Sequence, residues 1–152
     1  MHLEAGVPDR FTSIIDVHVI LRRAGRILLL RRAGNVYASG QLCLPSGHLE
    51  ESEHILDAAI REAKEETGIT LDPATMRLAL SIHQRNPAST HTRIGFAFEP
   101  GHWDGQPAIG EPDRCSELLW ADPGNLPPDT VEYTAAIIRA VEHGTAFALN
   151  GW

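Results

Sequence analysis

Glu62, Glu65 and Glu66 set the chemistry open to this 152-residue chain. On a helix, positions i, i+3 and i+4 share one arc, so the three carboxylates are brought together, with the small Ala58 beneath them. Like charges at this spacing weaken a helix by roughly 0.2–0.5 kcal/mol per pair. They also occupy a last turn, where the helix dipole favours cations. A bound cation resolves both conflicts. Carboxylate oxygens with no Cys or His among them suit a hard ion, Mg²⁺ or Mn²⁺. A Glu-rich face is ordinarily just solvated, so the surrounding residues must decide.

Those residues read GHLEESEHILDAAIREAKEETGI from Gly47 to Ile69. Ser52 is placed to cap the helix N-terminus, and Gly68 suits the left-handed position just past its end. Ile55, Leu56, Ala59, Ile60 and Ala63 fall on one arc and form the core face. Gly47, Glu53, Arg61, Glu62, Glu65, Glu66, Gly68 and the apolar Ile69 match G-x5-E-x7-R-E-U-x-E-E-x-G-U, with U apolar and Ala63 a small residue at the first U. This stretch resembles the Nudix box. Seven specified residues at set spacings recur by chance in on the order of one chain in a million.

The resemblance implies that Glu62, Glu65 and Glu66, with the Gly47 carbonyl, hold the metal. Arg61, four residues before Glu65, is read as orienting that carboxylate. Glu53 points nearly opposite Glu62 on an ideal wheel and is read as support for the helix start. Nudix enzymes draw their water-activating base either from a box glutamate or from a distant loop. The loop before SELLW offers Glu111, with Glu117 and Glu99 behind it, and Glu65 is the alternative.

Other elements must hold this helix in place. Residues 14–23 and 26–30 read as two strands joined at Ala24-Gly25, with Arg31 and Arg32 ending the second. His18, inside the apolar run, reads as a half-buried, satisfied histidine. A Gly- and Asn-containing loop and a short strand at Gln41–Leu44 lead into LPSGHLE, where His48 is a candidate phosphate contact. Met76–Gln84 and Thr92–Glu99 alternate as an antiparallel pair around the polar RNPASTH turn. His83, Arg85, His91 and Arg93 cluster there, with Arg85 and Arg93 the natural forks for phosphate. SELLWAD is a further strand, Val131–His143 a second amphipathic helix ending at Gly144, and AFALNGW a final short strand or cap. The pattern predicts a mixed α/β fold, an α/β/α sandwich with a mixed sheet between helices, as in Nudix proteins.

A composition of 43% apolar and 22% charged residues is that of one ordinary globular domain spanning 1–152. The net charge of −7 argues against binding a nucleic-acid polymer or an anionic membrane. No apolar run reaches membrane length, and MHLEAGVPDR carries no basic-then-apolar leader, so a cytoplasmic monomer or homodimer is expected. Cys43 and Cys115 are expected to be reduced thiols.

The resemblance implies cleavage of a nucleoside diphosphate linked to a group X. The metal neutralises the phosphates and lowers the pKa of water. EPDRCSELLW and the terminal GW resemble the small nucleotide-sanitising, MutT-like branch, and a short chain leaves little surface for a second nucleoside or sugar. The expected substrate is therefore a nucleoside triphosphate, ordinary or oxidised, cut to monophosphate and pyrophosphate. Arg31, Tyr37, His48, Arg85 and Arg93 are candidate substrate contacts, and Tyr37, Phe96, Phe98 and Trp120 are aromatics for a base pocket, although core packing is the safer reading for any one of them. The alternatives are an ADP-ribose or nucleotide-sugar pyrophosphatase, and a nucleotide-binding module without catalysis. The intact glutamate set speaks against the last.

Overall fold

The apolar run beginning at Ile14 serves two sheets. The computed structural model describes residues 9–152, and most of the stretch read as lacking a leader, residues 1–8, lies outside the described residues. In chain order the elements are β1 (Ile14–Val19), β2 (Arg22–Arg23), β3 (Arg26–Arg32), β4 (Leu42–Cys43), β5 (Ser46–His48) and α1 (Ile55–Thr67). A 3-10 turn at Pro73–Thr75 follows, then β6 (Met76–Arg85), β7 (Thr92–Pro100), β8 (Cys115–Ala121), α2 (Glu132–Glu142) and β9 (Phe147–Asn150). The single strand expected over 14–23 is thus divided. β1 ends at Val19, and the chain passes through the buried Ile20 and Leu21 into a second sheet at β2. Ala24 and Gly25, both at positive φ (51° and 77°), close the β2–β3 hairpin in the tight two-residue turn their sequence suggests.

The larger sheet runs β5-β1-β7-β6-β9 and is mixed: β1–β7 and β6–β9 are parallel, β1–β5 and β6–β7 antiparallel. In the smaller, antiparallel sheet β3 pairs with β2, β4 and β8. Alternation along β1 and β3 feeds two cores. Val17, Val19, Leu21 and Leu28 meet Ala58, Ala59 and Ala63 of α1. Ile20, Ile27, Leu29, Leu80 and Ile82 meet Ile137 and Ile138 of α2. The result is the expected α/β/α layering, with α1 and α2 on opposite faces of the sheet.

α1 keeps its expected end and loses its expected start. Gly68 sits at φ 75° and its N–H bonds the Lys64 carbonyl. Ser52 is no cap, because it lies at φ 66° in a turn before the helix. His54 is the N-cap instead, its Nδ1 accepting from the Asp57 N–H at 3.3 Å. The three alanines give α1 a flat surface that sits close to β1, while Ile55, Leu56 and Ile60 pack at its margins.

Candidate active site

The loop entering α1 passes directly over Glu62. A Cβ on Gly47 would collide with the Glu62 carboxylate, so the backbone approaches as only glycine permits. The register of β5 on β1, Gly47 opposite Val17, fixes that approach. Ser46 donates its N–H to Glu66 Oε2 at 3.1 Å. Loop and helix therefore share a wall formed by the Gly47 backbone, Glu62 and Glu66, with Glu65 more exposed beside them.

Arg61 ties this wall to its approach. Its Nε and Nη2 grip Glu53 at 3.0 and 2.7 Å, and Nη2 also donates to the His48 carbonyl at 3.2 Å. Nη1 reaches Glu62 at 2.8 Å and Glu65 at 3.4 Å. The wheel argument for Glu53 does not apply, since Glu53 precedes the helix. Its carboxylate braces the turn all the same, by accepting from the Glu50 N–H and from Arg61.

The loop carrying Glu111 is stapled onto the end of α1. Ala108 and Gly110 donate their N–H groups to the Thr67 and Glu66 carbonyls at 2.9 and 3.1 Å, satisfying acceptors that a helix end leaves open. A Cβ on Gly110 would run into the Glu65 carbonyl. At the loop's other end Arg23 lies 4.5 Å over the Trp103 ring and donates to the Gly105 carbonyl at 2.7 Å. This staple brings the charge of Glu111 to bear on the box acids.

Glu66 is pushed up to about 8 by burial, then by the charges of Glu62 and Glu111, against the Ser46 N–H and Arg32. Burial also raises Glu62, with Arg61 opposing and Glu65 and Glu111 adding to the rise. The wall is thus short of positive charge. Its donors are hard oxygens on a rigid helix, which fits a divalent cation of the Mg²⁺ class. The expected convergence is one of helix positions rather than of oxygen atoms. Glu62 and Glu65 each turn an oxygen to Arg61, and among the described residues no three acidic, His or Cys side chains gather at one point. An ion held by Glu62 and Glu65 would compete with Nη1 for the same carboxylate oxygens.

The remaining candidates separate. His48 and Arg93 meet, Arg93 Nη1 lying 3.0 Å from His48 Nε2, one residue from Gly47. Arg31 is turned away from the glutamates and held by Glu117 and Asp129 at 2.7 and 2.6 Å. Arg85 lies 5.4 Å from the Trp152 ring, and the Trp152 ring N–H bonds the His83 carbonyl, so this part of the hairpin pins the C-terminal tail. Tyr37 is 81% exposed, while Phe96, Phe98 and Trp120 pack into the α1 core. His18 is buried and only half satisfied: Nε2 bonds Asp16 at 2.8 Å and Nδ1 has no partner. Cys43 and Cys115 are both buried free thiols.

Arg32 and Asp16 were not among the sequence candidates. Arg32, beside Arg31 but pointing the other way, opposes the rise that burial imposes on both the Glu66 carboxyl and the Cys43 thiol. Strand alternation offered that signal, since neighbours in β3 face opposite sides. Asp16 had little signal, because apart from His18 its partners come from α2 and β7.

Known proteins resemble this chain in sequence and in fold. The NUDIX domain family model matches residues 12–141. An RNA pyrophosphohydrolase of Erythrobacter litoralis is 26% identical, covering 79% of this chain and 87% of the relative. An 8-oxo-dGTP diphosphatase of Escherichia coli is 28% identical, covering 82% and 95%. An ADP-ribose pyrophosphatase of Methanocaldococcus jannaschii is 30% identical, covering 74% and 64%. The crystal structure of a MutT NUDIX hydrolase from Burkholderia pseudomallei superposes with a TM-score of 0.75 at 26% identity, over 85% of this chain and 98% of that one. With the family model covering most of the chain, including α1 and the complete box, the chain belongs to the Nudix hydrolase family.

Proposed function

We propose that this chain hydrolyses a nucleoside triphosphate, ordinary or oxidised, to the monophosphate and pyrophosphate. The observation that carries the reading is the wall of Glu62, Glu66 and the Gly47 backbone, with Glu65 at its exposed rim. A divalent cation held by Glu62, Glu65, Glu66 and the Gly47 carbonyl would neutralise the phosphate oxygens that otherwise repel a nucleophile. The protein's own residues supply the rest. Arg61 holds Glu62 and Glu65 in register, and Glu53 holds Arg61. Glu65, 47% exposed at its side chain, is free to accept a proton from water. Glu111 is the second candidate for that base, since its loop is fixed to the helix end and its charge acts on Glu62 and Glu66. If Glu111→Gln retains the wild-type kcat and pH profile, Glu65 is the base.

The relatives are an RNA pyrophosphohydrolase, an 8-oxo-dGTP diphosphatase and an ADP-ribose pyrophosphatase, so the test is a panel. Ordinary and oxidised triphosphates, 5′-triphosphorylated RNA, ADP-ribose and a nucleotide sugar are incubated with Mg²⁺, and products are separated by chromatography. A monophosphate and pyrophosphate from a triphosphate is the expected result. ADP-ribose, a sugar nucleotide or an RNA end turning over with kcat/KM about 100-fold above every triphosphate would overturn the substrate assignment and leave the reaction class standing.

A further inference from the structure

β9 closes one end of the five-stranded sheet, at the opposite end from β5 and the glutamate wall. Its outer edge is open: among the described residues β9 pairs only with β6. Ser81 donates its N–H to the Ala146 carbonyl, so by strand alternation Ala148 and Asn150 turn their backbone groups to β6. Phe147 and Leu149 therefore point theirs outward. Exposed edges are ordinarily blunted by charge, proline or a bulge, and FALN has none of these. The tail does not cover the edge either. Gly151, at φ 80° with no room for a Cβ beside the Arg85 carbonyl, turns the chain back over β6, where Trp152 donates its ring N–H to the His83 carbonyl.

The side chains along this edge are apolar where they are most exposed. Ala148 packs against the α2 core, whereas Phe147 and Leu149 point to the opposite face, 58% and 60% exposed, with Trp152, 60% exposed, beyond them. The three leave on the order of 300–400 Å² of apolar surface in one row, as large as the biggest patch on an ordinary monomer. The row is self-complementary. When β9 pairs antiparallel with β9 of a second copy, a twofold axis through Ala148 sets each Phe147 opposite Leu149 of the other copy as a hydrogen-bonded pair, with the two side chains in contact on one face. Charge agrees with the same axis. Glu132 of α2 accepts from Asn150 Nδ2 at 3.0 Å, and Arg139 Nη2 lies 4.0 Å from Glu132, so the flank of α2 above β9 carries an acid and a base. Ala148 is about 6.6 Å from Asn150 along the strand, the rise of about four helical residues, which puts the axis level with Ala136, midway between the two charges. The axis therefore brings Glu132 of each α2 towards Arg139 of the other.

We propose that the β9 edge is the interface of a homodimer, in which two copies of this chain join antiparallel across Ala148 into one continuous sheet, with a glutamate wall towards each far end. Doubled over two copies and extended by the α2 flanks, the buried surface is on the order of 1,000–1,200 Å², the size of a specific but weak association with a Kd of about micromolar. The inference is independent of the reaction and of the substrate.

Sedimentation velocity of the full chain over about 1 to 200 µM tests it, with a covalent readout beside it. The wild type is expected to approach twice the 16.6 kDa of one chain as its concentration rises. Leu149→Lys puts a charge on the edge at an exposed position, and is expected to raise Kd at least about 100-fold while its far-UV spectrum and melting temperature stay near wild type. Ala148→Cys reports the register. The axis puts the two Cα atoms at this position about 4.5 Å apart, within disulfide reach, whereas Ala146→Cys would stand roughly 14 Å from its mate. Mild oxidation should therefore crosslink Ala148→Cys and leave Ala146→Cys uncrosslinked, with the wild type, whose two thiols are buried, as the blank. This comparison decides alone if Leu149→Lys does not fold. A single-chain mass for the wild type at about 200 µM would mean that the edge serves another occupant or none, and would overturn the inference. A dimer unmoved by Leu149→Lys, or two cysteine variants that crosslink alike or not at all, would overturn it equally.

Discussion

Replacing Glu66 by Gln should make the metal-free protein more stable and the enzyme inactive. In the unfolded chain this carboxyl ionises near its ordinary 4.5, whereas in the fold burial and the neighbouring acids hold the proton on until about 8. Folding therefore takes up a proton across that window, and the stability contributed by this group falls as pH rises through it. Gln has no proton to lose, and its carbonyl oxygen can still accept from the Ser46 N–H. At about 1.4 kcal/mol per pKa unit, the variant should gain on the order of 3 kcal/mol at pH 7, more at pH 8.5 and almost nothing at pH 4.5. Urea unfolding in EDTA reads this directly. A gain of that size moves the midpoint by roughly 1–2 M, given an ordinary dependence on denaturant for a domain of this length. Saturating Mg²⁺ should then stabilise the wild type more than the variant, since an ion that binds only the folded state adds stability by mass action. An unchanged or lower midpoint for Glu66→Gln at pH 7, or a difference equal at pH 5 and pH 7, would refute the reasoning.

Three further outcomes follow from the same geometry. Glu65→Gln should fold normally and lose about 10²-fold or more in turnover, and EDTA should abolish wild-type activity; full activity in either case removes the metal site from consideration. Gly110→Ala drives a methyl group at the Glu65 carbonyl and so must release the staple on α1; a loss of roughly 1–3 kcal/mol in stability is expected together with reduced kcat, and a variant indistinguishable from wild type in both would show that the loop does not set the site. Burial pushes the Cys43 thiol up to about 11, so in the native protein at pH 8 it should react with a maleimide at least about 10²-fold more slowly than in denaturant. Rapid native labelling at Cys43, located by mass spectrometry, would contradict its burial.

What could be read from the sequence was whatever depends on residues close together in the chain. The box, the helix end at Gly68, the Ala24-Gly25 turn and the 76–100 hairpin each rest on a local rule of spacing or backbone freedom, and the structure has all of them. The start of α1 was misplaced because Ser52 and His54 both stand where a cap is plausible, and tertiary contacts fixed the turn at Ser52 in a left-handed conformation. The crossing of residues 14–23 between two sheets was hidden because an unbroken apolar run reads the same whether or not it changes partners. Arg31 and Arg32 could not be told apart without knowing which face of β3 looks towards α1. Asp16 was largely out of reach, since apart from His18 its setting comes from a register with Gly95 and a helix more than a hundred residues away.

The helix that defines the family breaks several rules of helix design at once, and the rest of the chain can be understood as what keeps it in place. Three acids crowd the end where the dipole is least favourable, and two of them are shielded from water. Arg61 offsets part of the repulsion but is itself anchored outside the helix, on Glu53, so its hold on Glu62 and Glu65 can yield to a stronger cation without unseating the turn. The Ala108 and Gly110 N–H groups cap the carbonyls that the Glu-rich turn leaves open, although that same loop adds the charge of Glu111. Buried alanines and the Gly47 backbone complete the frame, rigid groups with few rotamers of their own. Strain is thus concentrated in carboxylates that an ion would relieve, while the groups that hold them are ones an ion would not disturb. A site of this kind stays assembled before its cation arrives, and below about pH 8 the cation binds by displacing the proton that Glu66 otherwise keeps.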